Sequence, residues 1–105
     1  MAVQFYNPLQ DIIDCAEKIA PNIECIVQFD PTMGEGENKA PYGETCFDEE
    51  NTIISINGNI PISISLEILA HELAHVIAGE ADEHGDKWES AFQAILEEYN
   101  KAAGL

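Results

Sequence analysis

Leu66-Glu67-Ile68-Leu69-Ala70-His71-Glu72-Leu73-Ala74-His75-Val76-Ile77-Ala78-Gly79 is the stretch on which the reading of this chain turns. As a helix it makes about four turns at about 3.6 residues each. Its only charged or imidazole side chains are Glu67, His71, Glu72 and His75. A helix that is apolar on every side is buried over most of its surface. Burying two imidazoles and a carboxylate without partners costs several kcal/mol, and a bound metal with its water removes that cost. Residues four apart on a helix differ by about 40° in direction and about 6 Å in height. His71 and His75 therefore point the same way, and both can reach one metal at about 2.0–2.1 Å. Glu72 sits about 100° around from His71, so it is poorly placed as a ligand but well placed to meet a water beside the metal. This is the H-E-x-x-H pattern of zinc hydrolases.

A catalytic zinc usually has three protein ligands and one open position. The third histidine, His84, is also the last one in the chain. Gly79 lies four residues after His75 and suits the end of the helix, because glycine tolerates the left-handed conformation. The acidic stretch Glu80-Ala81-Asp82-Glu83 can then return His84 to the metal. Glu80, Asp82, Glu83 and Glu89 remain alternatives for the third ligand. Zinc lowers the pKa of a bound water from about 15.7 to about 7. Glu72 would take the proton as the water attacks a carbonyl and pass it to the leaving amine.

At 105 residues, with 46% hydrophobic residues, the chain is expected to form one small domain with a modest core. No apolar run has transmembrane length, and the first ten residues lack the basic and apolar regions of a signal peptide. The cysteines, Cys15, Cys25 and Cys46, are odd in number and form no C-x-x-C pair. This argues against a disulfide framework or a zinc ribbon, and the default is a reduced, cytoplasmic protein. The net charge is −16, from four lysines, no arginine and twenty acidic residues. Phosphate backbones would be repelled, which argues against direct nucleic-acid binding. The acid reads first as a solvated surface, and second as an attraction for a cationic substrate or a basic partner protein.

Asn7-Pro8-Leu9-Gln10 carries helix-start signals: Asn7 as cap, Pro8 at the first position and Gln10 in a box-like pattern. Leu9, Ile12, Ile13, Ala16 and Ile19 then recur at helical spacing, and Pro21 ends a helix over 8–20. Ile23 to Phe29 alternates as a strand with Ile23, Cys25, Val27 and Phe29 on one face. Residues 30–44 read as a long loop that could border a cleft. Thr45 to Phe47 and the β-branched Thr52 to Ile56 read as a pair of strands joined by the turn Asp48-Glu49-Glu50-Asn51. Ser63 or Ser65 would cap the metal helix, with Glu67 in its first turn. The last helix runs from about Asp86 to Ala102, with Trp88, Phe92, Ile95 and Tyr99 as a core stripe. Trp88 would wedge against the metal helix and fix the loop that carries His84.

At His71-Glu72-Leu73-Ala74-His75 and His84-Gly85-Asp86-Lys87-Trp88 the chain resembles the SprT-like and WLM-type zinc metallopeptidases, which are zincins of the minimal kind. The likeness is specific over residues 65–99, weaker over 45–60, and confined to element order before that. It implies His71, His75 and His84 as zinc ligands and Glu72 as general base. It implies an α+β, zincin-like single domain: an N-terminal helix, a three-stranded, mostly antiparallel sheet, the metal-binding helix and a C-terminal helix. It also implies that a peptide or protein substrate adds to an edge strand before the metal helix, here near Ile53 to Ile56. With no arginine to stabilise an oxyanion, zinc itself or Tyr42 would serve. A competing reading is a non-catalytic acidic module that binds a basic partner protein and uses zinc as a structural staple.

Overall fold

The structure is a computed structural model that describes residues 2–34 and 42–104. The first helix, α1, spans Pro8–Ile19. Asn7 caps it as expected, its side-chain oxygen accepting the Leu9 N–H at 3.0 Å. The reciprocal half of the box does not form, because the Gln10 amide donates to Asp14 one turn ahead, at 2.9 Å. The helix stops at Ala20, whose φ of −135° is already non-helical, as expected for a residue preceding Pro21.

Three strands follow: β1 at Ile26–Asp30, β2 at Gly43–Phe47 and β3 at Thr52–Asn57. Ile23 and Cys25 precede β1 but still pack on the core with Val27, whereas Phe29 is half exposed. β2 begins two residues before the expected Thr45, so Gly43 and Glu44 belong to the sheet. Of the expected loop over 30–44, residues 35–41 lie outside the described residues.

The strand order is β1-β3-β2. β2 pairs antiparallel with β3, with Thr45 opposite Ile54. β1 pairs parallel with β3, with Val27 opposite Ile54. The sheet is therefore mixed, not mostly antiparallel. The expected edge at Ile53 to Ile56 is likewise corrected, because these residues form the central strand. The cause is legible in β3 itself: Ile54, Ser55 and Ile56 are consecutive and all buried. A strand enclosed on both faces reads as a near-continuous apolar run, while an edge strand is usually short, charged or otherwise blunted. Among the described residues the edges of the sheet are β1 and β2.

The helix that carries His71 and His75, α2, spans Ile62–Ala78 and starts earlier than its serines suggested. Pro61 is the N-cap and no side chain caps it. The Pro61 carbonyl instead accepts the backbone N–H groups of Ile64 and Ser65, at 3.1 and 3.0 Å. Ser63 and Ser65 lie inside the helix, with Ser65 Oγ donating back to the Pro61 carbonyl at 3.2 Å. Glu67 consequently falls beyond the first turn. The last helix, α3, spans Asp86–Ala102.

α2 is the hub, touching α1, α3, β2 and β3. Its Leu69 and Leu73 meet Ile12 and Ala16 of α1, Ile54 and Ile56 of β3, and Ala91 and Ile95 of α3 in one buried cluster. Enclosing a leucine or isoleucine side chain contributes about 1.5–3 kcal/mol, so this cluster fixes α2 firmly against both the sheet and α3. All three cysteines are free; Cys15 is buried and Cys46 exposed. Among the described residues no helix is long and apolar enough to cross a membrane.

Candidate metal centre

His71 and His75 lie one turn apart on α2 and present their imidazoles on the same side, toward the start of α3. The chain leaves α2 at Gly79, whose φ of 93° is open to glycine at little cost. The Gly79 N–H closes the helix on the His75 carbonyl at 2.9 Å. The Asp82 N–H then bonds the Gly79 carbonyl at 3.1 Å. His84 follows with a φ of 59°, the only positive value among the described non-glycine residues.

The result is a triangle of ring nitrogens. Nε2 of His75 lies 3.3 Å from Nε2 of His71 and 3.0 Å from Nε2 of His84, and the third side is 3.1 Å. These three side chains can together hold a metal ion, and they are the one such group among the described residues. Glu80, Glu83 and Glu89, weighed as third ligands on sequence grounds, are exposed and outside the group. Asp82 is engaged elsewhere, accepting the Trp88 backbone N–H at 3.0 Å.

Burial, and next the neighbouring His84, hold the His71 imidazole below its ordinary pKa. Burial, with His71 and His84 adding, pushes His75 down to about 4. Both rings therefore favour the neutral form near neutral pH, in which each has one unprotonated nitrogen.

Trp88 packs against all three imidazoles, its ring centre 4.8 Å from His71, 5.6 Å from His75 and 4.7 Å from His84. Its indole N–H donates to the His71 carbonyl at 3.1 Å, and Phe92 stacks on the indole at 5.2 Å. The first residues of α3 are thus pinned to α2 at His71, which is the wedge the sequence suggested for Trp88.

Glu72 faces away from the solvent, against β2, and is only 5% exposed. Thr45 Oγ1 on β2 approaches its carboxylate at 3.4 Å and its backbone carbonyl at 3.5 Å, both long contacts. Burial pushes the Glu72 carboxyl up to about 7; the Thr45 hydroxyl pulls against that shift and Glu44 adds to it. Gly43 explains how α2 comes so close to the strand. A Cβ there would stand 2.6 Å from Ile68 Cγ2 and 3.5 Å from Glu72 Cγ.

Tyr42 is half exposed at the entry to β2, where its carbonyl accepts the Asn57 N–H at 2.9 Å. That bond sets the alternation of the ladder. Glu44 and Cys46 share the parity of Tyr42 and pair inward with β3, so the backbone groups of Gly43, Thr45 and Phe47 turn to the side away from β3.

Thr45 carries no functional signal in the sequence, and Gly43 carries only the general one that a glycine inside a strand marks close backbone approach. Compared with known protein families, curated proteins and solved structures, the chain matches none.

Proposed function

We propose that this protein is a zinc-dependent metallopeptidase of the minimal zincin kind, in which His71, His75 and His84 hold the metal and Glu72 is the general base. The observation that carries the reading is the pairing of a convergent histidine triangle with an enclosed carboxylate one residue along the same helix. Three imidazoles suit zinc among the common divalent ions. Two nitrogens at about 2.05 Å from one tetrahedral zinc stand about 3.3 Å apart, and the 3.0–3.3 Å triangle fits that span. Three protein ligands leave the fourth position for solvent and substrate.

Zinc, when bound, supplies an acidified water and polarises the scissile carbonyl. Glu72 accepts the proton of that water at a carboxylate oxygen and returns it to the leaving nitrogen. In the metal-free chain burial raises the pKa of this carboxyl, and a raised pKa makes a carboxylate the stronger base. Thr45 steadies the carboxylate from the β2 side. The side of β2 away from β3, at Gly43, Thr45 and Phe47, has no strand partner among the described residues and would offer an extended peptide backbone groups beside Glu72.

The test is purified protein with one equivalent of zinc and an unfolded protein as substrate. Glu72→Gln should keep its zinc and lose cleavage by at least about 100-fold. Full cleavage by that variant would end the catalytic reading.

The charge of −16 favours a second reading, a non-catalytic module that captures a basic protein. Salt-sensitive capture that is indifferent to Glu72→Gln, with no cleavage by the unaltered chain, would decide for it.

A further inference from the structure

His84 stands apart from the other two ligands. His71 and His75 are carried by a helix built into the core, whereas His84 sits on the connection between α2 and α3 with a φ of 59°. A histidine in the left-handed region persists when its surroundings over-determine it.

α3 begins without a cap of its own, because its N-cap residue is Gly85 and no cap side chain bonds the first turn. The first turn of a helix leaves backbone N–H groups unsatisfied. One of them, that of Trp88, is taken by Asp82 Oδ2 at 3.0 Å, from a residue upstream of His84. The carboxylate reaches it by passing over Gly85, where a Cβ would run into Asp82 Oδ1. The same Asp82 is tied back to α2 through its N–H on the Gly79 carbonyl. His84 therefore sits inside a short loop that Asp82 and Trp88 close on themselves. Trp88 is in turn bonded to the carbonyl of His71. The loop is thus fastened at both ends to the helix that carries the other two ligands.

We propose that Asp82 is a positioning residue for the metal site: by capping α3 at Trp88 across Gly85, it sets the backbone of His84 so that the third imidazole meets the other two before metal arrives. The proposal rests on the histidine triangle holding a metal and is independent of peptidase activity. Its physical content is preorganisation. An unfastened His84 would have to be ordered at the moment of binding, and the lost entropy would be taken out of the metal affinity. The carboxylate at the positive end of α3 also adds a favourable charge–dipole contact.

The experiment is titration of metal-free protein with cobalt, read by ligand-field absorption, and with zinc by competition against a chelator. The melting temperature of each metal-free variant is measured alongside. Asp82→Ala should weaken binding by about 10–100-fold and shift the cobalt spectrum away from that of the unaltered site. Asp82→Asn loses the charge but keeps a side-chain oxygen for the Trp88 N–H, and should stay within a few-fold of the original affinity. Gly85→Ala, at a backbone φ of −82° that alanine adopts freely, should displace the Asp82 carboxylate and reproduce the loss. In a His84→Ala background, Asp82→Ala should cost nothing more, because its effect passes through His84.

Several results overturn the proposal: unaltered affinity in Asp82→Ala, an equal loss in Asp82→Asn, or a full further loss in the His84→Ala background. If the unaltered protein binds neither cobalt nor zinc, the triad reading falls and this inference falls with it. If it binds metal but shows any of the former results, the inference alone falls.

Discussion

A carboxyl group as enclosed as that of Glu72 makes the metal-free fold sensitive to pH in a direction that can be stated. Its pKa is raised to about 7 from an ordinary 4.5, chiefly by burial. Below about pH 4.5 the group is neutral in both the folded and the unfolded chain. Between there and about pH 7 the unfolded chain ionises first, so its contribution to stability falls as pH rises. At about 1.36 kcal/mol per pKa unit the deficit above pH 7 is of order 3 kcal/mol. His75 works in the opposite sense: held down to about 4 from 6.5 by burial, it contributes stability above pH 6.5 that is lost as pH falls through 4. The two windows overlap and partly cancel in the unaltered protein. Glu72→Gln separates them. In urea unfolding with a chelator present, the stability of Glu72→Gln relative to the unaltered chain should climb by roughly 3 kcal/mol between pH 4.5 and 8. A difference that stays flat over that range would mean the carboxyl is not desolvated.

At the scale of elements, the approach of α2 to β2 decides where Glu72 lies, and Gly43 sets the approach. Gly43→Ala should destabilise the fold by about 1–3 kcal/mol through overpacking against Ile68. Because a Cβ–Cγ2 clash is the cause, Ile68→Ala should cost less in the Gly43→Ala background than alone. Urea unfolding of the four proteins of that cycle measures the coupling, and strict additivity would refute the contact.

The helices were legible in the sequence because their signals are local. Asn7 and Pro8 marked the start of α1, and the recurrence of Trp88, Phe92, Ile95 and Tyr99 marked α3. The histidines were legible for the same reason, since the spacing of His71 and His75 is converted to direction by helix geometry alone. The sheet order was not. Which strand is central depends on β1 coming back alongside β3, a pairing between distant residues that no local pattern records. The run Ile53-Ile54-Ser55-Ile56 held the one clue, as a strand apolar at successive positions has no free face to spare for an edge. Asp82 shows the other gap. As sequence it is one of several acids near His84, and its part in closing the loop exists only once Trp88 N–H is within reach.

The molecule as a whole carries a charge of −16 on 105 residues, with four lysines to offset twenty acids. Such a surface repels itself, and the compact state concentrates that repulsion. Screening at about 0.1 M salt, where the Debye length is about 10 Å, should raise the melting temperature of the metal-free protein. A melting temperature that falls with added sodium chloride would show that attractive pairs, not net repulsion, dominate the surface. The same field favours a divalent cation at the histidine triangle, and this gives salt two opposed effects: it steadies the metal-free fold and weakens metal binding. Metal that binds only the folded state stabilises it by about 2.7 kcal/mol at a free concentration 100 times its Kd. For a domain of this size that is a rise on the order of 10 °C. The zinc-induced rise at fixed zinc should therefore be largest at low salt and shrink as salt is added, while the metal-free melting point climbs. His84→Ala should lose most of the zinc-induced rise yet keep the salt-induced one, since only the former runs through the triangle. Calorimetric scans of the two proteins, with and without zinc at low and high salt, separate the contributions. A zinc-induced rise that survives His84→Ala intact would place the metal somewhere other than between these three imidazoles.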